Sequence, residues 1–207
     1  MLHTSAHTTD GLNPFPPTGR RGWPTIALVA GGAVFAAGNL LHPLQHTDAA
    51  YNATTWKAAH LLIFFSLPLL VLGLPVLYKR LLPRLGRLRA GLPVAATVVG
   101  LIGIAPGTII ETFVAPMIGH EAMERLEAGG MGVVDAVFGT AFIGGTFALA
   151  WATRCARLRP RWAAPSLFIA ATALIVVMSA TGPAAGVVII SATIVYGLTL
   201  AMLALGV

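Results

Sequence analysis

The sequence predicts an all-α, polytopic transmembrane bundle of about six helices, with both termini on the cytoplasmic side of a bacterial membrane. Three observations predict it. Of 207 residues, 57% are hydrophobic and 10% charged, and the mean hydropathy is +0.83. A soluble domain carries roughly 25% charged residues, so most of this surface must face lipid. Next, the apolar residues gather into six stretches, roughly 23–42, 55–78, 91–117, 132–153, 162–181 and 184–206. Each has about 20 residues or more, enough to cross a hydrocarbon core of about 30 Å at 1.5 Å per residue. Finally, the charges between the stretches are sorted by side.

With the N-terminus inside, the inner segments hold Arg20, Arg21, Lys79, Arg80, Arg84, Arg87, Arg89, Arg154, Arg157, Arg159 and Arg161, which is 11 of the 13 basic residues. Only Lys57 and Arg125 remain outside. The positive-inside rule counts Lys and Arg and so fixes the orientation. Of the acids, Asp10 alone is inside; Asp48, Glu111, Glu121, Glu124, Glu127 and Asp135 fall in the outer half. The net charge of +6 is therefore a matter of topology, and nucleic acid is not an expected partner. The expected partners are the bilayer and, beyond it, a membrane protein or a second copy of the chain. A single cysteine, Cys155, excludes an intrachain disulfide and a Cys-cluster metal site.

Residues 1–22 are polar and rich in Thr, Pro and Gly, and read as a disordered cytoplasmic tail; residues 23–207 form one transmembrane domain. Arg20-Arg21 ahead of an apolar run that ends near Ala36-Ala37-Gly38 also fits a secretory signal, but the run is long and the tail is polar, so an uncleaved anchor is expected. The spans must be helices, because open strands leave backbone groups unsatisfied in lipid. Pro68 and Pro75 predict a kink in the second span. Pro43, Pro116 and Pro183 stand where the outgoing helices end, consistent with ordinary helix stops or with a thrice-repeated hairpin. Gly100, Gly103, Gly107, Gly139, Gly144 and Gly145 mark the third and fourth spans as close-packing helices. A short amphipathic helix is expected at Gly119–Glu127, with a glycine hinge (Gly129, Gly130, Gly132) into the fourth span, so this outer segment could lid what lies beneath it.

Ionisable residues inside spans are costly and are functional candidates by default. Here they are few and share one depth in the outer leaflet. His42 ends the first span, His60 lies near the start of the second, Glu111 lies five residues before Pro116, and Asp135 opens the fourth, with Asn39 near His42. Two imidazoles and a carboxylate suit Zn, Fe, Mn or Cu. His42 and His60 are the expected ligands, with Glu111 as a third ligand or as a partner fixing the imidazole orientation, and with Asp135, Asn39, Trp56 and Lys57 around them. His46 and His120 in the outer loops are further ligands or solvated side chains. No pair has the spacing of a ready-made helical metal motif, so separate helices must assemble the site. A b-type haem between His42 and His60 is a second expectation: Gly38 leaves room for a macrocycle, Trp56 and Phe64 flank His60, and Lys57 reaches a propionate. Trp56, Lys57 and Gly38 equally fit an interfacial belt, a snorkelling cation and close helix packing.

Two rival readings need no cofactor. A structural or partner-binding subunit predicts a direct Glu111–His contact and no residual volume. A proton or small-solute transporter, built on Glu111 with Thr108 and Thr112, predicts a polar path inward past Ser66 or Thr146. Met117, His120 and Met123, spaced three apart, offer a soft face for copper or simply an apolar one. The basic inner loops suit anionic headgroups, and Cys155 lies where acylation is conceivable. No Walker motif, nucleophile elbow or strand-linked GxGxxG is present, which leaves no nucleotide or hydrolase signature.

The run Gly38-Asn39-Leu40-Leu41-His42-Pro43, followed by Trp56, Ala59-His60 and Gly73-Leu74-Pro75-Val76-Leu77-Tyr78, resembles small multi-pass proteins of actinobacteria and related GC-rich bacteria. The resemblance covers the first two spans and implies a six-helix inner-membrane fold with no established activity. The His pair flanking the first outer loop is also similar to membrane b-type cytochromes, from which no residue roles transfer.

Overall fold

A computed structural model describes residues 22–177 and 183–206, and among these the backbone is helical, without strands. The expected N-terminal tail, with Arg20 and Arg21, lies outside the described residues, as does the end of the fifth expected span. The elements are α1 (Trp23–Leu41), α2 (Asp48–Tyr51), α3 (Thr54–Gly73), α4 (Pro75–Phe113), α5 (Ala115–Ile118), α6 (His120–Ala128), α7 (Gly130–Cys155), α8 (Ala163–Val177) and α9 (Pro183–Leu205).

Four helical runs are long and apolar enough to cross a membrane: Trp23–Leu41, Thr54–Phe113, Gly130–Cys155 and Pro183–Leu205. α8 is apolar but shorter over its described residues. The 60-residue run Thr54–Phe113 holds the second expected span and the third up to Phe113, where the helix ends short of the expected 117. Leu74 keeps helical dihedrals at the junction where Pro75 begins α4, so the predicted kink does not end the helix there. The chain folds back at Gly86, whose dihedrals (φ 75°, ψ 171°) are open to glycine but rarely to other residues. Beyond it Gly91 lies against Tyr78, with 3.8 Å between its built Cβ position and the Tyr78 ring. A straight helix would hold those residues about 20 Å apart.

The long helices pack in the cyclic order α3, α1, α9, α8, α7, α4 and back to α3. Missing Cβ atoms let the axes approach. A Cβ at Gly73 would stand 2.5 Å from Leu28 N, one at Gly31 2.8 Å from Leu70 N, and one at Gly145 2.6 Å from Thr97 N. Gly100 and Gly103 likewise face Phe142 and Phe138 across the α4–α7 seam. Gly139 and Gly144 do not share this role, because a Cβ there meets nothing within 4 Å. One continuous apolar core runs through the bundle, built on residues such as Leu28, Leu70, Leu101, Leu149, Leu167 and Leu200.

The two ends of the bundle differ in chemistry. At one end Arg80 donates to Leu203 O in the last turn of α9, and Arg84 donates to Ala156 O at the C-terminus of α7. Guanidinium groups there satisfy carbonyls that a helix end leaves unpaired. Lys79, Arg157 and Arg159 line the same hollow. Asp135 sits near the opposite end of α7, 19 residues before Arg154, or about 28 Å along a helix. At that opposite end a smaller core of Tyr51, Trp56, Ala115 and Met123 ties the short helices to the long ones.

Candidate metal centre

The proline after α1 sets the first side chain of the site. A residue before proline is driven from the helical region towards extended dihedrals, and His42 leaves α1 at φ −70°, ψ 130°. Its ring turns back over the bundle, and Nδ1 donates to Pro43 O (2.8 Å). His60, buried in the second turn of α3, donates from Nδ1 to Trp56 O (2.8 Å). A carbonyl oxygen only accepts, so these two bonds place the proton of each ring on Nδ1. The two Nε2 atoms converge: His42 Nε2 and His60 Nε2 lie 3.2 Å apart. Glu111 completes the group from α4, with Oε2 2.5 Å from His60 Nε2. Donor atoms of His42, His60 and Glu111 all lie within 4.8 Å of one another.

Trp56 organises this group. It is fully buried, contrary to the interfacial-belt reading, and its Nε1 donates to Glu111 O (2.7 Å), joining α3 to α4. Its ring lies 4.1 Å from that of His60, 5.2 Å from His42 and 5.0 Å from His46. Asn39 is also buried, but it does not bond the His42 ring. It donates to Phe35 O and accepts from Thr193 Oγ1 (2.7 Å), fastening α1 to α9 beside the site. Asp135 is exposed, lines the same cavity and makes no hydrogen bond among the described residues.

The donors open into a cavity of about 350 Å³ whose lining comes from α1, α3, α4, α7 and α9 as well as His46. Its upper wall carries the polar residues. Its deeper wall is apolar, with Phe35, Ile63, Ile104, Phe138 and Phe142. Ser66 and Thr146 lie outside the lining, and their hydroxyls bond carbonyls of their own helices. The direct Glu111–His60 contact is what a purely structural pair requires; the cavity beside it is not.

Among the peripheral candidates, His46 belongs to the site and two others do not. Donor atoms of His46, Glu111 and Glu127 also lie within 4.8 Å of one another. Burial pushes the His46 imidazole below its ordinary value. Burial, then the neighbouring carboxylates of Glu111 and Asp135, push Glu127 up. Lys57 is exposed and places Nζ 5.5 Å from the Phe113 ring, on the wall of a separate hollow. His120 pairs with Glu124 (3.3 Å), and its backbone N–H donates to Asp48 (2.7 Å). The proposed copper face is not one face: Met117 is 83% exposed on α5, Met123 is 1% exposed on α6, and Gly119 (φ 77°) breaks the helix between them.

Sequence reasoning missed Glu127, Tyr51 and Thr193. Glu127 reads as one more charge on an amphipathic helix, yet Asp48 holds the start of that helix while the break at Gly129 ends it over the cavity mouth. Of the two readings of Gly38, helix packing is the one its surroundings fit: its missing Cβ faces Ile63 and Ala59 O of α3 and leaves no slot there for a macrocycle. The chain matches no family model, no curated protein and no solved structure.

Proposed function

We propose that this chain is a six-span protein of the bacterial cytoplasmic membrane, with both termini inside, that binds a transition-metal ion at His42, His60 and Glu111. One observation carries the reading. Two imidazole Nε2 atoms and a carboxylate oxygen point at each other, with both Nδ1 protons already committed to backbone carbonyls. Three acceptors facing one another require a cation between them. Metal-bound histidines characteristically donate the other ring N–H to a carbonyl or carboxylate, which is the arrangement here.

Geometry favours one ion over a haem. Two nitrogens at about 2.0–2.1 Å from a tetrahedral ion stand roughly 3.3 Å apart, close to the 3.2 Å observed. Axial ligands on opposite faces of a haem need about 4 Å between them, with the macrocycle in the gap. Three protein donors are one short of the four that zinc takes in a closed structural site. A water or small ligand from the cavity therefore completes the shell, and the apolar floor admits an apolar portion of that ligand. Zinc and ferrous iron both suit two His and one carboxylate.

The direct 2.5 Å contact between His60 and Glu111 favours a second reading, in which a proton on His60 is the cation and the pair merely locks α3 to α4. Elemental analysis and a visible spectrum of detergent-purified protein separate the two. The metal reading predicts about one ion or more of Zn, Fe, Mn or Cu per chain, no Soret band, and at least a tenfold loss of that metal in His42→Ala and His60→Ala. Metal-free protein after expression with all four supplied would leave the proton as the occupant. A Soret band would replace the single ion with haem.

A further inference from the structure

We infer that the site holds two metal ions bridged by the Glu111 carboxylate, the second one bound by His46 and Glu127 at the cavity mouth. This rests on the reading of His42, His60 and Glu111 as metal ligands and extends it. Glu111 belongs to both compact donor groups: with His42 and His60 below, and with His46 and Glu127 above. A carboxylate has two oxygens and can serve two ions at once. Oε2 faces His60, while Oε1 makes no hydrogen bond among the described residues. Two-metal sites place their ions about 3.5–4 Å apart, a span that one bridging carboxylate covers.

Charge supports a second cation. Glu111 and Asp135 line the cavity, Glu127 lies beside Glu111, and neither Glu127 nor Asp135 forms an ion pair among the described residues. The outer cations are engaged elsewhere: Lys57 lies over Phe113, and Arg125 pairs with Glu121. One divalent ion beside three carboxylates leaves the group one charge negative next to a low-dielectric bundle, and a second more than offsets that charge, leaving one positive charge over the group. The scaffold is also specific. Asp48 accepts from the first N–H of α6, and Gly132 lets α7 pass against Glu127 O, so the carboxylate of Glu127 is brought back over Glu111. Carboxylate-bridged ion pairs held by Glu and His from several helices are an established way for a helical bundle to bind metal.

The test is a Co²⁺ titration of the full-length, metal-stripped protein in detergent, followed by visible absorption and by elemental analysis after desalting. The inference predicts two Co²⁺ per chain in the wild type and one in His46→Ala and in Glu127→Gln. Both variants change partly exposed side chains and are expected to fold. One Co²⁺ per chain in the wild type, unaltered by His46→Ala and Glu127→Gln but lost in His60→Ala, overturns the second ion and keeps the first. No Co²⁺ in any of them overturns both.

Discussion

At the residue scale, the site depends on which nitrogen of each histidine is occupied. Pro43 and Trp56 supply the two carbonyls that take the Nδ1 protons, and so aim His42 Nε2 and His60 Nε2 inward. His42 was legible as a site residue because it shares its depth in the outer leaflet with the other ionisable residues of the spans. His60 and Glu111 were legible because ionisable groups inside spans are rare. Glu127 was not: four acids within the stretch from 111 to 127 look alike in sequence, and only the break at Gly129 decides which one returns to the cavity. Lys57 misled for the complementary reason. It follows Trp56 directly, and adjacent residues on a helix point about 100° apart, so burial of Trp56 turns Lys57 outward.

At the element scale, glycine works by position rather than by number. α7 contains adjacent glycines with opposite roles: Gly145 abuts the α4 backbone at Thr97, and Gly144 faces open space. Gly145→Ala is expected to destabilise the bundle by about 1–3 kcal/mol through overpacking. Gly144→Ala is expected to be neutral or stabilising by up to about 1 kcal/mol through helix propensity. Thermal unfolding of the two variants in one detergent checks the contrast; equal losses would show that the α4–α7 seam is not as close as described. Composition alone could not separate these two residues, because it marks a glycine-rich span without saying which face meets a neighbour. The reversal between the second and third expected spans was legible: it lies at Gly86, inside the stretch that the sequence presents as a basic loop.

At the scale of the whole molecule, the sorting of charge in the sequence reappears as two chemically distinct ends. Arg80 and Arg84 close the carbonyl ends of α9 and α7. The orientation proposed from the basic residues places the exposed Cys155 on the cytoplasmic side. A membrane-impermeant maleimide is expected to leave it unlabelled in intact cells and to label it after permeabilisation. Labelling of intact cells would invert the bundle and turn the cavity towards the cytoplasm. The assembly of α1, α3, α4, α7 and α9 around one cavity was foreshadowed only by shared depth, because helix neighbours are set by packing that a single sequence does not encode locally.

The most direct measurement is X-ray absorption at the K-edge of whichever metal the purified protein retains. A metal ion at His42, His60 and Glu111 gives imidazole multiple scattering, with nitrogen and oxygen neighbours at about 2.0–2.2 Å, and loses the imidazole signal in His60→Ala. An edge without imidazole scattering, or no metal edge at all, would contradict it.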